Sequence, residues 1–298
     1  MNQTPGHGPP RLRVGVVGTG RVGAVLGAAL ARAGHQVVGV YAVSDLSQLR
    51  AQALLPGAPL MSVADVIAGS DLVLLTVPDD VLLDLVAGLV DTEQIRPGQF
   101  LAHASGRFGY GVLDAATRAG ALPLALHPVM TFTGTTIDLA RLDGTPFGVT
   151  APDELRPVAE ALVVEMGGEP VWVEEGNRTL YHAALAHGSN HLMTLVGQTL
   201  ELLTLAGVQE PARLVAPLLS ASLDNALRYG DQVLTGPVAR GDARTVSAHL
   251  DALRADVQVM DTYRALARAT ADRALAAGVL RPQAAESLLD VLSERNSR

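Results

Sequence analysis

Hydrophobic positions along the chain follow two periods. Between residues 13 and 173, short apolar runs rich in β-branched residues alternate with stretches in which apolar residues recur every three or four positions. The runs predict strands at Val14–Val17, Gln36–Ala42, Asp71–Val77, Gln99–His103, Leu122–Leu126, Pro146–Thr150 and Pro170–Val173. The stretches between them predict helices after Val22, at Leu46–Leu54, Val63–Ala68, Val81–Val90, Val112–Ala119 and Asp153–Met166. Strand and helix in strict alternation predict an α/β fold with a doubly wound sheet. The continuous run Asp71–Val77, DLVLLTV, reads as a strand buried on both faces.

The period changes at Glu174. Helical runs follow at about Asn177–Ala206, Pro211–Tyr229, Ala243–Arg254, Val257–Ala277 and Pro282–Glu294, and no strand is predicted. The chain therefore reads as a polar, Gly/Pro-rich disordered tail over residues 1–10, a doubly wound α/β domain over 11–174 and an all-α domain over 175–298. Leu234–Asp242, with Gly236-Pro237 and Gly241, interrupts the helical pattern and reads as a loop. Alanine and leucine exceed what one buried stripe per helix needs, which points to a homodimer through the helical domain.

The most informative stretch is Gly18-Thr19-Gly20-Arg21-Val22-Gly23, a G-x-G-x-x-G between the first strand and an amphipathic helix, with a second strand close behind. Gly18 permits the tight turn, Gly20 lets backbone approach a pyrophosphate, and Gly23 lets helix pack closely on strand. Unpaired N–H groups at the helix start attract the phosphate charge. The second strand ends Tyr41-Ala42-Val43-Ser44-Asp45 and lacks the terminal acid that favours NAD. Ser44, Ser47 and Arg50 suit a 2′-phosphate, so the expected cofactor is NADP, with NAD as the alternative. Asp45 is equally readable as the cap of the following helix, and Asp80 as the cap of the helix after Pro78.

The chain has 298 residues and a net charge of −8, and shows no basic cluster, which argues against a nucleic-acid surface. It has no cysteine, and all 22 basic residues are arginine. Disulfides, thiolate sites, Schiff bases and lysine acids are thereby excluded. No apolar run approaches the roughly 18 residues of a membrane span, and the amino terminus lacks a signal core, so a cytoplasmic protein is expected.

Ligands of open α/β sheets bind beyond the carboxyl ends of the strands. That rule selects Gly18–Gly23, Val77-Pro78-Asp79-Asp80, His103-Ala104-Ser105-Gly106-Arg107 and the loop from His127 to Thr133. A histidine at a strand end exchanges a proton near neutral pH, which hydride transfer to a carbonyl requires. Pro128 restrains the backbone of His127 and aims its ring; a ring nitrogen capping a backbone group is the competing reading. The long helix carries His187, Ser189, Asn190 and His191. His187 and His191 have chelating spacing but no acidic third ligand, so no metal site is expected. Arg240 is open to two readings, a bidentate carboxylate anchor or an ion pair with Asp242.

With GTGRVG, TVPDD, HASG, LHPVMTF, GSN and LTGPVARGD in this order, the chain resembles a family of Rossmann-like NADP-type oxidoreductases with a C-terminal helical domain of unknown function. More distantly it is similar to pyrroline-5-carboxylate reductase, the β-hydroxyacid dehydrogenases and prephenate dehydrogenase. The lysine of β-hydroxyacid dehydrogenases and ketopantoate reductases, four residues before an asparagine, falls on Ala186 when aligned on Asn190, so that mechanism does not carry over. The serine and His-Pro histidine of prephenate dehydrogenase resemble Ser105 and His127. The expectation is an NAD(P)-dependent oxidoreductase for a small carbonyl or imine compound bearing a carboxylate, such as a 2-keto acid. His127 exchanges the proton, Ser105 and His103 orient it or the substrate, Asn190 holds the reacting oxygen, and Arg240 anchors the carboxylate. The alternative is a non-catalytic NADP-binding regulator or sensor.

Overall fold

The computed structural model describes residues 11–293; the tail expected over 1–10 lies outside the described residues. By its packing the chain divides into two compact units, the first ending at Ser189 and the second starting at Asn190. The first unit runs β1 (Arg13–Val17), α1 (Arg21–Arg32), β2 (Gln36–Tyr41), α2 (Asp45–Leu54), α3 (Val63–Gly69), β3 (Leu72–Leu75), α4 (Asp79–Asp91), β4 (Phe100–His103), α5 (Asp114–Arg118), β5 (Leu122–Pro128), α6 (Thr136–Arg141), β6 (Pro146–Thr150), α7 (Arg156–Glu165) and β7 (Glu169–Trp172). The helix α8 (Arg178–Leu205) begins in this unit and ends in the second, which holds α9 (Pro211–Tyr229), α10 (Gly236–Arg240), α11 (Ala243–Ala252), α12 (Val257–Ala276) and α13 (Pro282–Ser293).

The seven strands form one sheet in the order β2-β1-β3-β4-β5-β6-β7. All neighbours are parallel except β5 and β6. The chain moves outward from β1 to β2 and then crosses back to β3, so the order reverses between β1 and β3, the switch point at which ligands of such sheets bind. Register aligns the carboxyl ends: Val17 faces Leu75, Leu75 faces His103, and His103 faces Ala125. The central strands β1, β3, β4 and β5 are buried along most of their length, as the unbroken run Leu72–Leu75 implies, whereas the edge strand β7 is partly exposed. One side of the sheet packs on α1 and α7 through Leu26, Leu30, Phe147 and Leu162; the other packs on α3, α4 and α5 through Ile67, Leu82, Val86 and Leu113. Removing about 120 Å² of apolar surface from water contributes roughly 3 kcal/mol, so each of these side chains matters to the sheet.

Four local readings are corrected. Asp45 does not cap α2: Ser44 does, its Oγ accepting from the Ser47 N–H at 3.2 Å while the Ser47 Oγ accepts from the Ser44 N–H at 3.0 Å. Asp80 does not cap α4; Pro78 holds that position, and Asp79 and Asp80 lie in the first turn, where the dipole favours carboxylates. The loop expected at Leu234–Asp242 contains α10, because Pro237 suits a first helical turn and Gly241, at φ 73°, closes it. The helix α6 was not expected. It is only six residues long and is organised by the buried Asp138 carboxylate, which accepts from the Thr133 and Gly134 N–H groups.

The second unit has its own core, built from Val238, Val246, Met260, Ala271, Leu288 and Leu292. The helix α9 contributes a single buried residue, Val215. No described helix is long and apolar enough to cross a membrane.

Candidate functional site

The glycine turn has a shape that suits a phosphate. Gly18 has φ +97°, and a Cβ there would meet the Thr76 carbonyl oxygen at 2.8 Å. Its N–H donates to the Tyr41 carbonyl at 3.0 Å, tying the turn to β2. Thr19 is fully buried and donates its hydroxyl to the Ser47 carbonyl at 3.0 Å. At Gly23 a Cβ would lie 2.1 Å from the Gly18 oxygen and 2.1 Å from Thr76 Oγ1, so only glycine lets α1 sit this close to β3. Gly20 caps α1 without a side chain, and nothing lies within 4 Å of its Cβ direction. The α1 N-terminus is therefore open on the side from which a pyrophosphate would come. Arg21 and Arg50 meet beside Gly134, whose Cβ would lie 2.7 Å from Arg50 Nε and 3.1 Å from Arg21 Cγ. These residues fit a dinucleotide, and the Arg50 guanidinium, with the Arg21 side chain beside the same glycine, fits a 2′-phosphate. The Ser44 and Ser47 hydroxyls are engaged in the α2 cap. Val77, Pro78 and Asp79 follow β3 directly across the switch point from the turn.

His103 and Ser105 shape the loop after β4. His103 is 1% exposed; its Nε2 donates to the Gly109 carbonyl at 2.9 Å, while its Nδ1 accepts from the Ser105 N–H at 3.2 Å. Both ring nitrogens are thus used within the loop. Ser105 Oγ accepts from the N–H groups of Arg107 and Phe108, each at 3.2 Å. Burial pushes His103 down to about 4, so it is neutral at physiological pH.

His127 stands two residues beyond the end of the β4–β5 ladder. Its Nδ1 is 2.8 Å from the Tyr181 hydroxyl, and the two rings meet edge to face with centroids 5.7 Å apart. The His182 ring also stands nearly perpendicular to that of His127, with centroids 6.3 Å apart. The loop residue Gly106 lies beneath both histidines: a Cβ there would be 2.7 Å from His182 Cδ2 and 2.9 Å from His127 Nε2. Burial foremost, then the positive charge of Arg178 and the neighbouring His182 and His103, push His127 down to about 4. Arg178 is 2% exposed and donates from Nη1 to the Gly148 carbonyl at 3.3 Å. Gly148 is the residue opposite His127 in the antiparallel β5–β6 ladder. Glu175, just before α8, accepts from the Tyr110 and Gly111 N–H groups at 2.9 and 3.0 Å.

The structure therefore brings His127 together with Arg178, Tyr181 and His182, none of which the sequence reading selected. Their signal was present: an arginine, a tyrosine and a histidine in the first turns after the last strand, with Arg178 and Tyr181 three apart on one helix face. The first compact unit extends past Glu174 because these turns pack on the sheet. Asn190 is exposed on α8 and Arg240 is exposed at the end of α10, both in the second unit. Asp242 forms no ion pair with Arg240 among the described residues; it caps α11, accepting from the Thr245 N–H at 3.0 Å and the Thr245 hydroxyl at 2.7 Å. The second unit also contains a largely apolar cavity of about 380 Å³, lined by Leu195, Leu202, Val238, Leu266 and a second histidine–tyrosine pair, His249 and Tyr263.

Residues 1–128 match the model of a Rossmann-like domain, and residues 145–270 match that of a domain of unknown function, DUF2520. No curated protein matches the chain significantly. Among solved structures, a Bacteroides fragilis protein described as a candidate NADP oxidoreductase is 20% identical, with 88% of this chain and 98% of that chain covered at a TM-score of 0.73. An imine reductase from Pseudomonas sp. is 20% identical over 95% of this chain and 100% of that chain, with a TM-score of 0.63. A reductive aminase from Aspergillus terreus, solved with NADPH and ethyl levulinate, is 18% identical over 94% and 99% of the two chains, with a TM-score of 0.62. These likenesses establish a shared fold.

Proposed function

We propose that this chain, which joins a Rossmann-like domain to a DUF2520 domain, is an NAD(P)-dependent oxidoreductase acting on a small carbonyl or imine compound. The observation that carries the reading is the His127–Tyr181 hydrogen bond on the strand edge that also ends in the open glycine turn. Bound nicotinamide dinucleotide supplies the hydride chemistry. The chain's part is to bind, to orient and to move a proton. Backbone N–H groups from Gly20 to Gly23, at the start of α1, hold the pyrophosphate, with Val77, Pro78 and Asp79 across the crevice. Arg21 and Arg50, with Ser44 at the tip of β2, favour the 2′-phosphate of NADP over NAD.

The His127–Tyr181 pair moves the proton at the substrate oxygen or nitrogen. His127 is neutral in the resting protein, so one ring nitrogen can accept while the other donates. The loop held by His103 and Ser105 places Gly106 under the ring and keeps it in position. The finer assignments follow the sequence reading: a carboxylate-bearing substrate such as a 2-keto acid, Asn190 on the reacting oxygen and Arg240 on the carboxylate. The same reading makes the protein cytoplasmic and a homodimer, for which the leucines of α9 offer support: Leu214, Leu218, Leu223 and Leu227 are all at least half exposed.

The deciding experiment is a panel of 2-keto acids and cyclic imines with NADPH, run with wild type and His127→Ala. Turnover that collapses in the variant supports the reading. Nucleotide binding without turnover on any compound favours the regulatory alternative.

A further inference from the structure

Among the described residues, two histidine–tyrosine pairs have nearly the same geometry. His127 Nδ1 and the Tyr181 hydroxyl are 2.8 Å apart, with ring centroids at 5.7 Å and planes at 89°. His249 Nδ1 and the Tyr263 hydroxyl are also 2.8 Å apart, with centroids at 5.8 Å and planes at 85°. Burial pushes the pKa of both phenols up, so each holds its proton more tightly than a free tyrosine. What distinguishes the first pair is Arg178, one helical turn before Tyr181, whose Cζ lies 5.5 Å from the Tyr181 ring.

Arg178 is a costly residue to keep. It is almost fully buried, and its Nε and Nη2 find no acceptor among the described residues. Burying charged donors without acceptors is strongly unfavourable, so such a residue is kept only where its charge has a use. Its one hydrogen bond runs to Gly148, opposite His127, so the guanidinium is fixed between the helix that carries Tyr181 and the strand paired with His127. A preorganised cation beside a proton-transfer pair stabilises negative charge that appears only during reaction.

We propose that Arg178 is the positioning residue that stabilises a Tyr181 phenolate, so that Tyr181 delivers the proton in the proposed reduction and His127 restores it. The inference rests on the oxidoreductase reading. As the carbonyl or imine carbon receives a hydride from the reduced dinucleotide, its π pair settles on oxygen or nitrogen. That atom takes the Tyr181 proton, and the O–H bonding pair remains on the phenolate beside Arg178. A proton from solvent returns through His127, accepted at Nε2 as Nδ1 gives one up to the phenolate; loss of the Nε2 proton and uptake at Nδ1 by exchange with solvent then reset the imidazole tautomer, so the cycle closes with no net change in the protein's protons. The charged and titratable groups around the phenol are Arg178 on its own helix and His127 from β5, with His182 and His103 acting on His127 and Glu175 on Arg178.

The test is an ultraviolet difference titration of tyrosine ionisation in the full cofactor-free chain, with Tyr181→Phe and Tyr263→Phe used to assign each phenol. In wild type, Tyr181 ionises at lower pH than Tyr263. Arg178→Gln raises the Tyr181 pKa by about 1–3 units, the range for loss of one close opposite charge, while Arg178→Lys holds it near wild type and Tyr263 moves in neither. Turnover falls at least tenfold in Arg178→Gln with nucleotide affinity unchanged. Tyr181 and Tyr263 ionising together in wild type, or no shift in Arg178→Gln, overturns the proposal. If Arg178→Gln does not fold, the wild-type comparison decides alone. A shifted Tyr181 in a protein that binds no dinucleotide leaves the Arg178–Tyr181 coupling standing and removes the oxidoreductase reading.

Discussion

His127 Nδ1 lies 2.8 Å from the Tyr181 hydroxyl, although 54 residues separate them in the chain. A strand end and the second turn of a long helix are thus joined by one hydrogen bond, next to a buried arginine and over a glycine that leaves the ring room. The proposed chemistry rests on that contact.

Replacing either partner removes a positioned proton donor or acceptor. His127→Ala and Tyr181→Phe are each expected to lower kcat by about 100- to 10,000-fold, the usual contribution of general acid–base catalysis. Dinucleotide affinity should stay within a factor of about three, because neither side chain belongs to the glycine turn. Steady-state kinetics beside a nucleotide titration separates the two effects.

Two glycines of the turn should fail differently. A Cβ at Gly20 meets no protein atom, so Gly20→Ala should leave the melting temperature nearly unchanged and weaken dinucleotide binding. A Cβ at Gly23 strikes a backbone oxygen, so Gly23→Ala should destabilise the fold by about 1–3 kcal/mol. Thermal denaturation with and without nucleotide distinguishes them.

Acid should unfold the first unit through its buried histidines. His103 has its folded pKa depressed from 6.5 to about 4. Above 6.5 neither state protonates it and its full contribution is present. As pH falls from 6.5 toward 4, the unfolded chain binds the proton and the folded one does not, so stability is lost across that window and levels off below it. The loss is on the order of 3 kcal/mol at 1.36 kcal/mol per pKa unit. Urea titrations at pH 7.5 and pH 4.5 should show a smaller difference for His103→Gln than for wild type.

The apolar surface of α9 should hold two copies together. Leu218 is 66% exposed and Leu227 is 80% exposed. The double variant Leu218→Glu, Leu227→Glu is expected to sediment as a monomer where wild type sediments as a dimer. A wild-type monomer at micromolar concentration would contradict this.

The fold was legible because its central strands are apolar runs such as Leu72–Leu75, and because Gly18 and Gly23 have steric tasks that other residues cannot perform. The strand from Leu122 and the helix from Pro211 to Tyr229 lie where periodicity puts them. The helices α6 and α10 were not legible, since six and five residues carry too little periodicity and depend on Asp138 and on Pro237 and Gly241 for their form. In the candidate site, His127 was legible from its place at a strand end. Arg178, Tyr181 and His182 were not, because their importance comes from a packing contact across 54 residues rather than from local pattern. The polar residues farther along α8, chiefly His187 and Asn190, drew attention as a periodic face, whereas the turns that meet His127 come earlier in that helix.

The most direct test of the account is a titration of the purified protein with NADPH and, separately, NADH, followed by nicotinamide fluorescence. The account predicts saturable NADPH binding at least tenfold tighter than NADH, with the preference lost in Arg50→Ala. If neither dinucleotide binds, the glycine turn serves another ligand and the oxidoreductase reading is contradicted.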